Sequence, residues 1–396
     1  MATAETGTGA HLGAEEKKAR TAPSRGTRFI TEIFDGADEA LAALDVIQKD
    51  VVSTGFQTPD WLTVLYEELA SSHNAFPRLV VVTDGESGEV VLALPLAVTK
   101  EGSLRIASFA DCGVSDYGAP VLGREPMTDN RRIRGVWRSV RTAMRDIDLI
   151  RFERMPVEIG GRPNPLLHLF GSTPSRATGH RLTLPGSFEE YLQSLGKKYR
   201  KDLERCHRLW EKEENPRLYR ATTMDEIAHV FATLEEQQAV WHASRGTKDI
   251  LAHPPSRAFY ERMAIDGADA GLTELFALEA SGEIVAALFG LVHDGTFTLL
   301  RISTGGEKWS NLSPGRLAVI EVMKHLATRG IRCFDMGVNF NPLKHGFGTE
   351  EIPLYDLVAS RDIAALPAIL VHELVAQLRA SRRLRSVFKK AMPGLG

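Results

Sequence analysis

Cysteine is scarce in this chain of 396 residues, which contains only Cys112, Cys206 and Cys333. Three cysteines so far apart provide neither a disulfide framework nor the ligand spacing of a metal site. We therefore expect a protein of a reducing, cytoplasmic compartment with no bound metal.

Long apolar runs are also absent. No stretch approaches the ~18 residues of a membrane span, so stable membrane insertion is not expected. Residues 1–27 lack the apolar centre of a signal peptide and are rich in small and charged residues, which predicts a disordered tail. A net charge of −3 argues against DNA binding, and the length favours two domains.

Several common catalytic motifs are missing as well. The chain has no P-loop, no His-Glu-x-x-His, no Cys-x-x-Cys and no Gly-x-Ser-x-Gly. These absences exclude most nucleotide hydrolases, most metalloenzymes and most serine hydrolases.

What the chain does contain is an internal repeat. The segment SGEVVLAL starting at Ser87 recurs as SGEIVAAL from Ser281, about half a chain length later. In both halves the apolar pattern predicts antiparallel strands, then one helix and a further strand. The repeat therefore predicts a duplicated α/β domain.

The segment between the halves, residues 160–185, is rich in Gly and Pro and is predicted to be mostly loop. The capping-box pattern of Ser187 and Glu190 then predicts a long helix that extends through Trp210. Near the end of the chain, Pro367 predicts the start of a helix whose last part is basic, and we expect it to lie on the protein surface.

The stretch 296–348 carries the most informative pattern. It predicts a strand at 297–303, a polar loop, a helix that starts at Ser313-Pro314-Gly315, and a strand at 331–336. Serine is a good N-cap, and proline is tolerated at the first helical position. The free N–H groups of such a helix start form a natural anion site, although a simple cap explains the same residues equally well.

This unit resembles one group of acyltransferases. Its Ser-Pro-Gly helix start, the pattern Gly-x-x-x-Phe-Asp-x-Gly over 330–337, then Lys344 and Phe347-Gly348 are similar to GNAT-type acetyltransferases of the CelD cellulose-biosynthesis, BioF-like kind, which are relatives of the Fem-type peptidyltransferases. The Phe-Gln-x-Pro-x-Trp of residues 56–61 also resembles the start of that family. The resemblance covers most of the chain from Phe56 onward.

The resemblance implies an α/β fold with two tandem GNAT-like domains, whose mixed, mostly antiparallel sheets face each other across a cleft, plus a C-terminal helix. The expected division is a tail at 1–27, a first domain at 28–162, a linker at 163–180, an acetyltransferase domain at 181–362 and a basic C-terminal helix at 363–396.

The resemblance also implies an enzyme that moves an acyl group, acetyl in the first instance, from acetyl-CoA or another acyl-CoA to an amine or hydroxyl. The implied acceptor is a small molecule or saccharide, such as an amino sugar or polysaccharide precursor. General GNAT enzymes carry (Arg/Gln)-x-x-Gly-x-(Gly/Ala) before the helix, and this chain does not. An acyl-carrier protein, or the aminoacyl-tRNA of a Fem-like transferase, therefore remains open as donor. A non-catalytic accessory protein of exopolysaccharide assembly is a third hypothesis.

Acyl transfer requires a phosphate site and a proton acceptor. For the phosphates of the cofactor, the candidates are the residues at the predicted helix start: Ser313, Pro314, Gly315 and Arg316.

Asp335 is the candidate general base. A carboxylate within an apolar strand loses hydration, so we expect a raised pKa. Lys344, at the family's matching position, is a candidate catalytic cation. The alternative is a structural ion pair of Asp335 with Lys344 or Arg332.

Further residues are candidates for substrate binding. Arg200 matches a basic position of the family, and Trp241 and Arg245 resemble its Trp-x-x-x-Arg-Gly segment. Tyr117, with Asp116, would line the cleft from the first half. The alternatives are a solvated charged face around Arg200 and domain packing by Trp241.

Overall fold

A computed structural model of the protein describes residues 29–338, 344 and 346–360. The predicted tail at 1–27 and the predicted helix at 363–396 lie outside these residues.

The strands follow the apolar and β-branched segments of both halves. In chain order they are β1 (Phe29–Asp35), β2 (Val51–Val52), β3 (Phe76–Asp84), β4 (Val90–Glu101), β5 (Leu104–Phe109), β6 (Val121–Gly123), β7 (Leu149–Pro156), β8 (Glu158–Ile159), β9 (Arg162–Pro163), β10 (Ser172–Thr183), β11 (Arg217–Arg220), β12 (Thr273–Ala280), β13 (Glu283–His293), β14 (Thr296–Thr304), β15 (Cys333–Val338) and β16 (Glu350–Ser360).

The helices begin at polar or proline-containing turns and bury one apolar face. They are α1 (Ala37–Ile47), α2 (Pro59–Leu65), α3 (Asn130–Ala143), α4 (Phe188–Ser194), α5 (Lys197–Trp210), α6 (Met224–Arg245), α7 (Pro254–Asp269) and α8 (Pro314–Thr328).

One continuous, mostly antiparallel sheet runs through the described part of the molecule. Its strand order is β1-β3-β4-β5-β7-β16-β10-β15-β14-β13-β12-β11; β6 also pairs with β4, and β2 pairs with β6. Parallel pairing occurs between β5 and β7 and between β14 and β15. These two places are equivalent, because in each a strand that precedes the main helix of one half, α3 or α8, pairs with the strand that follows that helix. The duplicated architecture predicted from the repeat is confirmed.

The two halves exchange a strand. β10 follows β7 in the chain but pairs with β15 of the second half, and β16 follows β15 but returns to pair with β7 of the first half. β10 and β16 also pair with each other, which joins the two sheets. The exchange satisfies the open edge that each half would otherwise expose to solvent.

This exchange corrects the prediction for the connector. Ser172–Thr183 is a strand, not a loop, although Pro174 and Gly179 lie within it. Proline and glycine are tolerated there because the β10–β16 ladder is irregular between Pro174 and Thr178 and the β10–β15 ladder is irregular between Gly179 and Arg181.

The long helix predicted from Ser187 is in fact two helices. Ser187 caps α4 by accepting a hydrogen bond from the Glu190 N–H, as the capping box predicts. The helix then stops because Leu195 adopts an extended conformation, with φ −69° and ψ 149°, and α5 starts after Gly196. The break allows the first turn of α5 to lie beside the start of α8.

Candidate active site

The centre of the site is the place where β14 and β15 separate. Their parallel ladder ends at the pair Thr298–Asp335, although β14 continues to Thr304 and β15 to Val338. Gly337 follows in a left-handed conformation, with φ +74°. Both strands therefore have edges beyond this pair that do not bond to each other.

Asp335 lies at the base of this opening and is fully buried. Its carboxylate accepts hydrogen bonds from the Tyr117 hydroxyl at 2.8 and 2.9 Å and from the Gly337 N–H at 2.8 Å. Arg181 of β10 completes the set, with its Nη2 3.2 Å from Oδ2. Both oxygens are thus occupied by donors, which favours a structural role for Asp335 over that of a free base.

The ion-pair partner of Asp335 differs from both predicted candidates. The Arg332 guanidinium donates instead to the Leu184 carbonyl at 3.1 Å. Lys344 Nζ donates to the carbonyls of Gly337 at 3.2 Å and Val338 at 2.7 Å. Lys344 remains close to the site: burial lowers its pKa, while the nearby carboxylates of Asp116 and Asp335 oppose that shift.

A second carboxylate, Asp116, reaches the same place from the first half. A Cβ atom on Gly337 would lie only 2.4 Å from Asp116 Oδ2, so glycine is required there. Within the described residues, the Asp116 carboxylate makes neither a hydrogen bond nor an ion pair. Burial, reinforced by the Asp335 carboxylate, raises the pKa of Asp116 to about 6, even though Arg154, Lys344 and Arg301 act in the opposite direction.

The loop that carries Asp116 is held on both sides by the Phe-Gln-x-Pro-x-Trp segment. Trp61 Nε1 donates to Ser115 Oγ at 3.2 Å, and Gln57 Nε2 donates to the Tyr117 carbonyl at 3.4 Å. Sequence reasoning associated this segment with the family but assigned it no role. Its role in this structure is to fix the residues on either side of Asp116.

Arg301 of β14, which sequence reasoning missed, lies on the same side of the sheet. Its guanidinium lies over the Tyr260 ring, 4.5 Å from the centroid, and donates to the Tyr260 hydroxyl at 2.8 Å. Arg154 also faces this region and is paired with Asp111. A signal existed in the sequence, because Arg301 is the one charged residue of strand β14 and needs a partner or a function.

The start of α8 differs from the prediction. Ser313 has φ +48° and ψ +56°, and its side chain does not cap the helix. Its hydroxyl instead accepts from Arg316 Nη2 at 2.6 Å, because the left-handed backbone directs it away from the first turn. Pro314 has no N–H, and the N–H groups of Arg316 and Leu317 both bond to the Ser313 carbonyl. Few backbone donors remain for an anion.

Cationic side chains near the start of α8 provide anion-binding groups in place of the missing backbone donors. A groove of about 800 Å³ lies between the first turn of α5 and the start of α8. Arg316 is held in it by Asp202, with Nη1 2.7 Å from Oδ2. The groove is strongly cationic, with a single carboxylate among its lining residues, which are Gly196, Lys197, Lys198, Tyr199, Lys201, Asp202, Arg205 and Arg316.

The other predicted binding residues are not brought to Asp335. Arg200 donates to the Gln193 carbonyl at 3.1 Å, in the bend between α4 and α5. Trp241 lies near the end of α6 and is 44% exposed, so its side chain is only partly packed. Arg245 lies over the Trp241 ring, 4.5 Å from its centroid.

The equivalent place in the first half is filled by the protein itself. The β5–β7 ladder ends at Ala107–Ile150, and beyond it the rings of Phe109 and Phe152 stack with centroids 4.1 Å apart. The start of α3 is capped by Asp129, whose carboxylate accepts from the backbone N–H groups of the first turn. Among the described residues, the second half differs from the first in having strands that separate next to an uncapped helix start.

The comparison with known families agrees with this division. Residues 197–345, which begin at α5 and end beyond β15, match the family model described as an acetyltransferase (GNAT) domain. The match lies within the second half, which is therefore similar to a GNAT acetyltransferase domain. No curated protein matches the chain.

Solved structures show a likeness of fold that covers most of the chain. FemX aligns with a TM-score of 0.55 at 12% identity, over 82% of this chain and 96% of FemX. A conserved protein of unknown function from Bacteroides thetaiotaomicron aligns with a TM-score of 0.50 at 13% identity, over 81% and 97%. At such identities the likeness shows the fold alone, which is similar to that of FemX.

Two further properties concern the described residues only. In residues 29–338, 344 and 346–360, no helix is long and apolar enough to cross a membrane. The same residues contain no cluster of three or more His, Cys, Asp or Glu side chains suited to a metal ion.

Proposed function

We propose that this GNAT protein transfers an acyl group from acyl-CoA to an amine or hydroxyl acceptor that enters from the first half. The observation that carries the proposal is the position of Asp116. Its carboxylate, uncommitted among the described residues, lies against Gly337 where β14 and β15 separate. A carboxylate with a pKa of about 6 is ionised at neutral pH and is more basic than an ordinary aspartate.

The donor side of the proposed site is the α8 side of the sheet. The groove at the starts of α5 and α8 offers cationic side chains for the phosphates of acyl-CoA. From this groove, the part of acyl-CoA that carries the acyl group would extend to the opening between β14 and β15. This retains the predicted role of Arg316, with Lys197, Lys198 and Lys201 in place of most of the expected backbone donors.

The proposed reaction is a direct acyl transfer. The acceptor nitrogen or oxygen forms a bond to the thioester carbonyl carbon, the C–S bond breaks, and CoA leaves as the thiolate. Asp116 accepts the proton that the acceptor loses. Asp335 positions Tyr117, and through it the adjacent Asp116, while Lys344 offsets negative charge at the same place. The acceptor class suggested by the CelD resemblance, an amino sugar or polysaccharide precursor, belongs to this proposal.

The test compares wild type with Asp116→Asn, and uses Glu236→Gln, an exposed carboxylate of α6, as the matched control. Calorimetry measures acetyl-CoA binding, and a radiolabel assay measures transfer to a panel of amines. We expect all three proteins to bind acetyl-CoA, and we expect transfer by Asp116→Asn to fall roughly 10²–10⁴-fold. If wild type binds neither acetyl-CoA nor longer acyl-CoAs, acyl-CoA is not the donor. If Asp116→Asn transfers the acyl group as fast as wild type, Asp116 is not the proton acceptor.

One observation favours a second candidate, a Fem-like transferase that uses aminoacyl-tRNA. The α8 start has few free N–H groups, and cationic side chains suit the phosphates of RNA as well as those of CoA. Filter binding with charged tRNA, repeated at increasing salt, distinguishes the two: tight binding with a steep salt dependence, and none to acyl-CoA, favours the tRNA donor.

A further inference from the structure

Arg301 is held in a fixed position by its neighbours. The guanidinium packs on the face of the Tyr260 ring, and its Nη2 donates a hydrogen bond to the Tyr260 hydroxyl at 2.8 Å. Tyr260 is itself only 2% exposed and packs edge-on against Phe259 and Phe289. The residues that position Arg301 are therefore tightly packed, and a recognition site requires such a rigid support.

The charge of Arg301 is not neutralised within the described residues. Arg154 pairs with Asp111 and Arg181 pairs with Asp335, whereas no carboxylate forms an ion pair with Arg301. Among the described residues its Nε is buried and has no hydrogen-bond partner. A half-buried cation with an unused donor is expected to have a partner that the described residues do not supply.

Arg301 lies close to the proposed proton acceptor. A Cβ on Gly337 would lie 2.4 Å from Asp116 Oδ2 and 3.7 Å from the Leu299 carbonyl, so Asp116 is adjacent to β14 two residues before Arg301. Arg301 is also among the cations that lower the pKa of Asp116. The two side chains nevertheless make no ion pair. An acceptor group bound by Arg301 would thus place its neighbouring atoms at Asp116.

We propose that Arg301 binds an anionic group of the acceptor, so that the acceptor carries a carboxylate or a phosphate as well as the amine or hydroxyl that is acylated. This inference rests on the proposed function and identifies its acceptor class. The planar guanidinium matches an oxyanion with two parallel hydrogen bonds, which a neutral acceptor cannot form. Specificity follows because a neutral analogue would leave the half-buried cation unpaired.

The test uses pairs of probes that differ in one anionic group. Glucosamine 6-phosphate is compared with glucosamine, and glycine with glycinamide, first by equilibrium binding and then as acceptors. Wild type should bind at least one charged member at least tenfold more tightly than its neutral partner, and which pair shows the difference distinguishes phosphate from carboxylate. Arg301→Gln should abolish the preference without changing acetyl-CoA binding.

Controls separate recognition from folding. Arg217→Gln removes another arginine that lies over a tyrosine, Tyr219, at 4.7 Å on the edge strand β11, and should keep the preference. Tyr260→Phe keeps the ring but removes the hydroxyl that holds Arg301, and should weaken the preference. Equal binding of charged and neutral members by wild type, or an unchanged preference in Arg301→Gln, overturns the proposal. Because binding is measured without donor, this outcome is distinct from a failure to use acyl-CoA.

Discussion

The hydroxyl of Tyr117 donates to both carboxylate oxygens of Asp335, at 2.8 and 2.9 Å, across 218 positions of the chain. One residue belongs to the first half and the other to the separating strands of the second. Because Asp116 immediately precedes Tyr117, this contact also determines where the Asp116 carboxylate lies. Both halves therefore contribute residues to the candidate site.

Loss of the Tyr117 hydroxyl should lower stability. In Tyr117→Phe the buried Asp335 carboxylate loses one of its donors, which should reduce the free energy of unfolding by about 1–3 kcal/mol. Urea denaturation followed by circular dichroism measures the change. Tyr355→Phe is the control, because the Tyr355 hydroxyl makes no hydrogen bond within the described residues. A loss of similar size in the control would contradict a specific role for the Tyr117–Asp335 contact.

The pH profile of transfer should report Asp116. Since the pKa of Asp116 is about 6, kcat/KM should rise as pH increases through about 6, where the carboxylate becomes ionised. In Asp116→Asn this ascending limb should be absent. Steady-state assays from pH 5 to pH 8 with saturating acetyl-CoA test the expectation. An identical limb in the variant would assign the titration to another group.

Asp116 should also make stability depend on pH, with a defined sign. Its pKa is raised from 3.8 in the unfolded chain to about 6 in the folded protein, so the ionised form is disfavoured by folding. The resulting loss of stability develops as pH rises from about 4 to about 6 and is complete above that range. Asp116→Asn should therefore be more stable than wild type at pH 8 but not at pH 3.5. Paired denaturation curves at the two pH values measure this difference, and an opposite sign would show that the carboxylate has a favourable partner.

The cationic groove should bind the donor through charge. Replacing Lys197, Lys198 and Lys201 together by alanine should raise the Kd for acetyl-CoA roughly tenfold at low ionic strength, because each exposed charge contributes only a few tenths to 1 kcal/mol. The effect should shrink in high salt. Calorimetry against a triple variant of exposed lysines outside the groove, Lys49→Ala, Lys212→Ala and Lys248→Ala, provides the control. Equal affinities of the two triple variants would place the phosphates elsewhere.

The equivalent helix start in the first half should be structural only. Asp129→Ala removes the cap of α3 and should reduce the free energy of unfolding by about 1 kcal/mol. Acetyl-CoA binding and transfer should not change, because stacked Phe109 and Phe152 fill the opening in that half. The contrary result would be that wild type binds two equivalents of acetyl-CoA and that the variant binds the second one more weakly. The first half would then also contain a donor site.

Much of the local structure followed from the order of residues. The strands around α3 and α8, the turn at Ser281 and the end of α8 at Gly330, which has φ +84°, were predicted because apolar periodicity and turn chemistry act over a few neighbours. The Ser313 cap was wrong because the preceding turn, Glu307–Leu312, delivers the chain to α8 in a left-handed conformation. Asp335, Tyr117 and Lys344 were all expected at the site, and their catalytic or binding roles stay proposals.

The sequence by itself determined the duplicated α/β units and the GNAT-like strand-helix-strand segment, because hydrophobic spacing, caps and glycines specify local conformation. Only the tertiary structure decided the exchange of β10 and β16, the pairing of Asp335 with Tyr117 and Arg181, and the selection of Asp116 as the uncommitted carboxylate. The physical reason is range: strand pairing depends on which distant edges are open, and the pKa of a carboxylate depends on burial and on charges brought near from elsewhere in the chain.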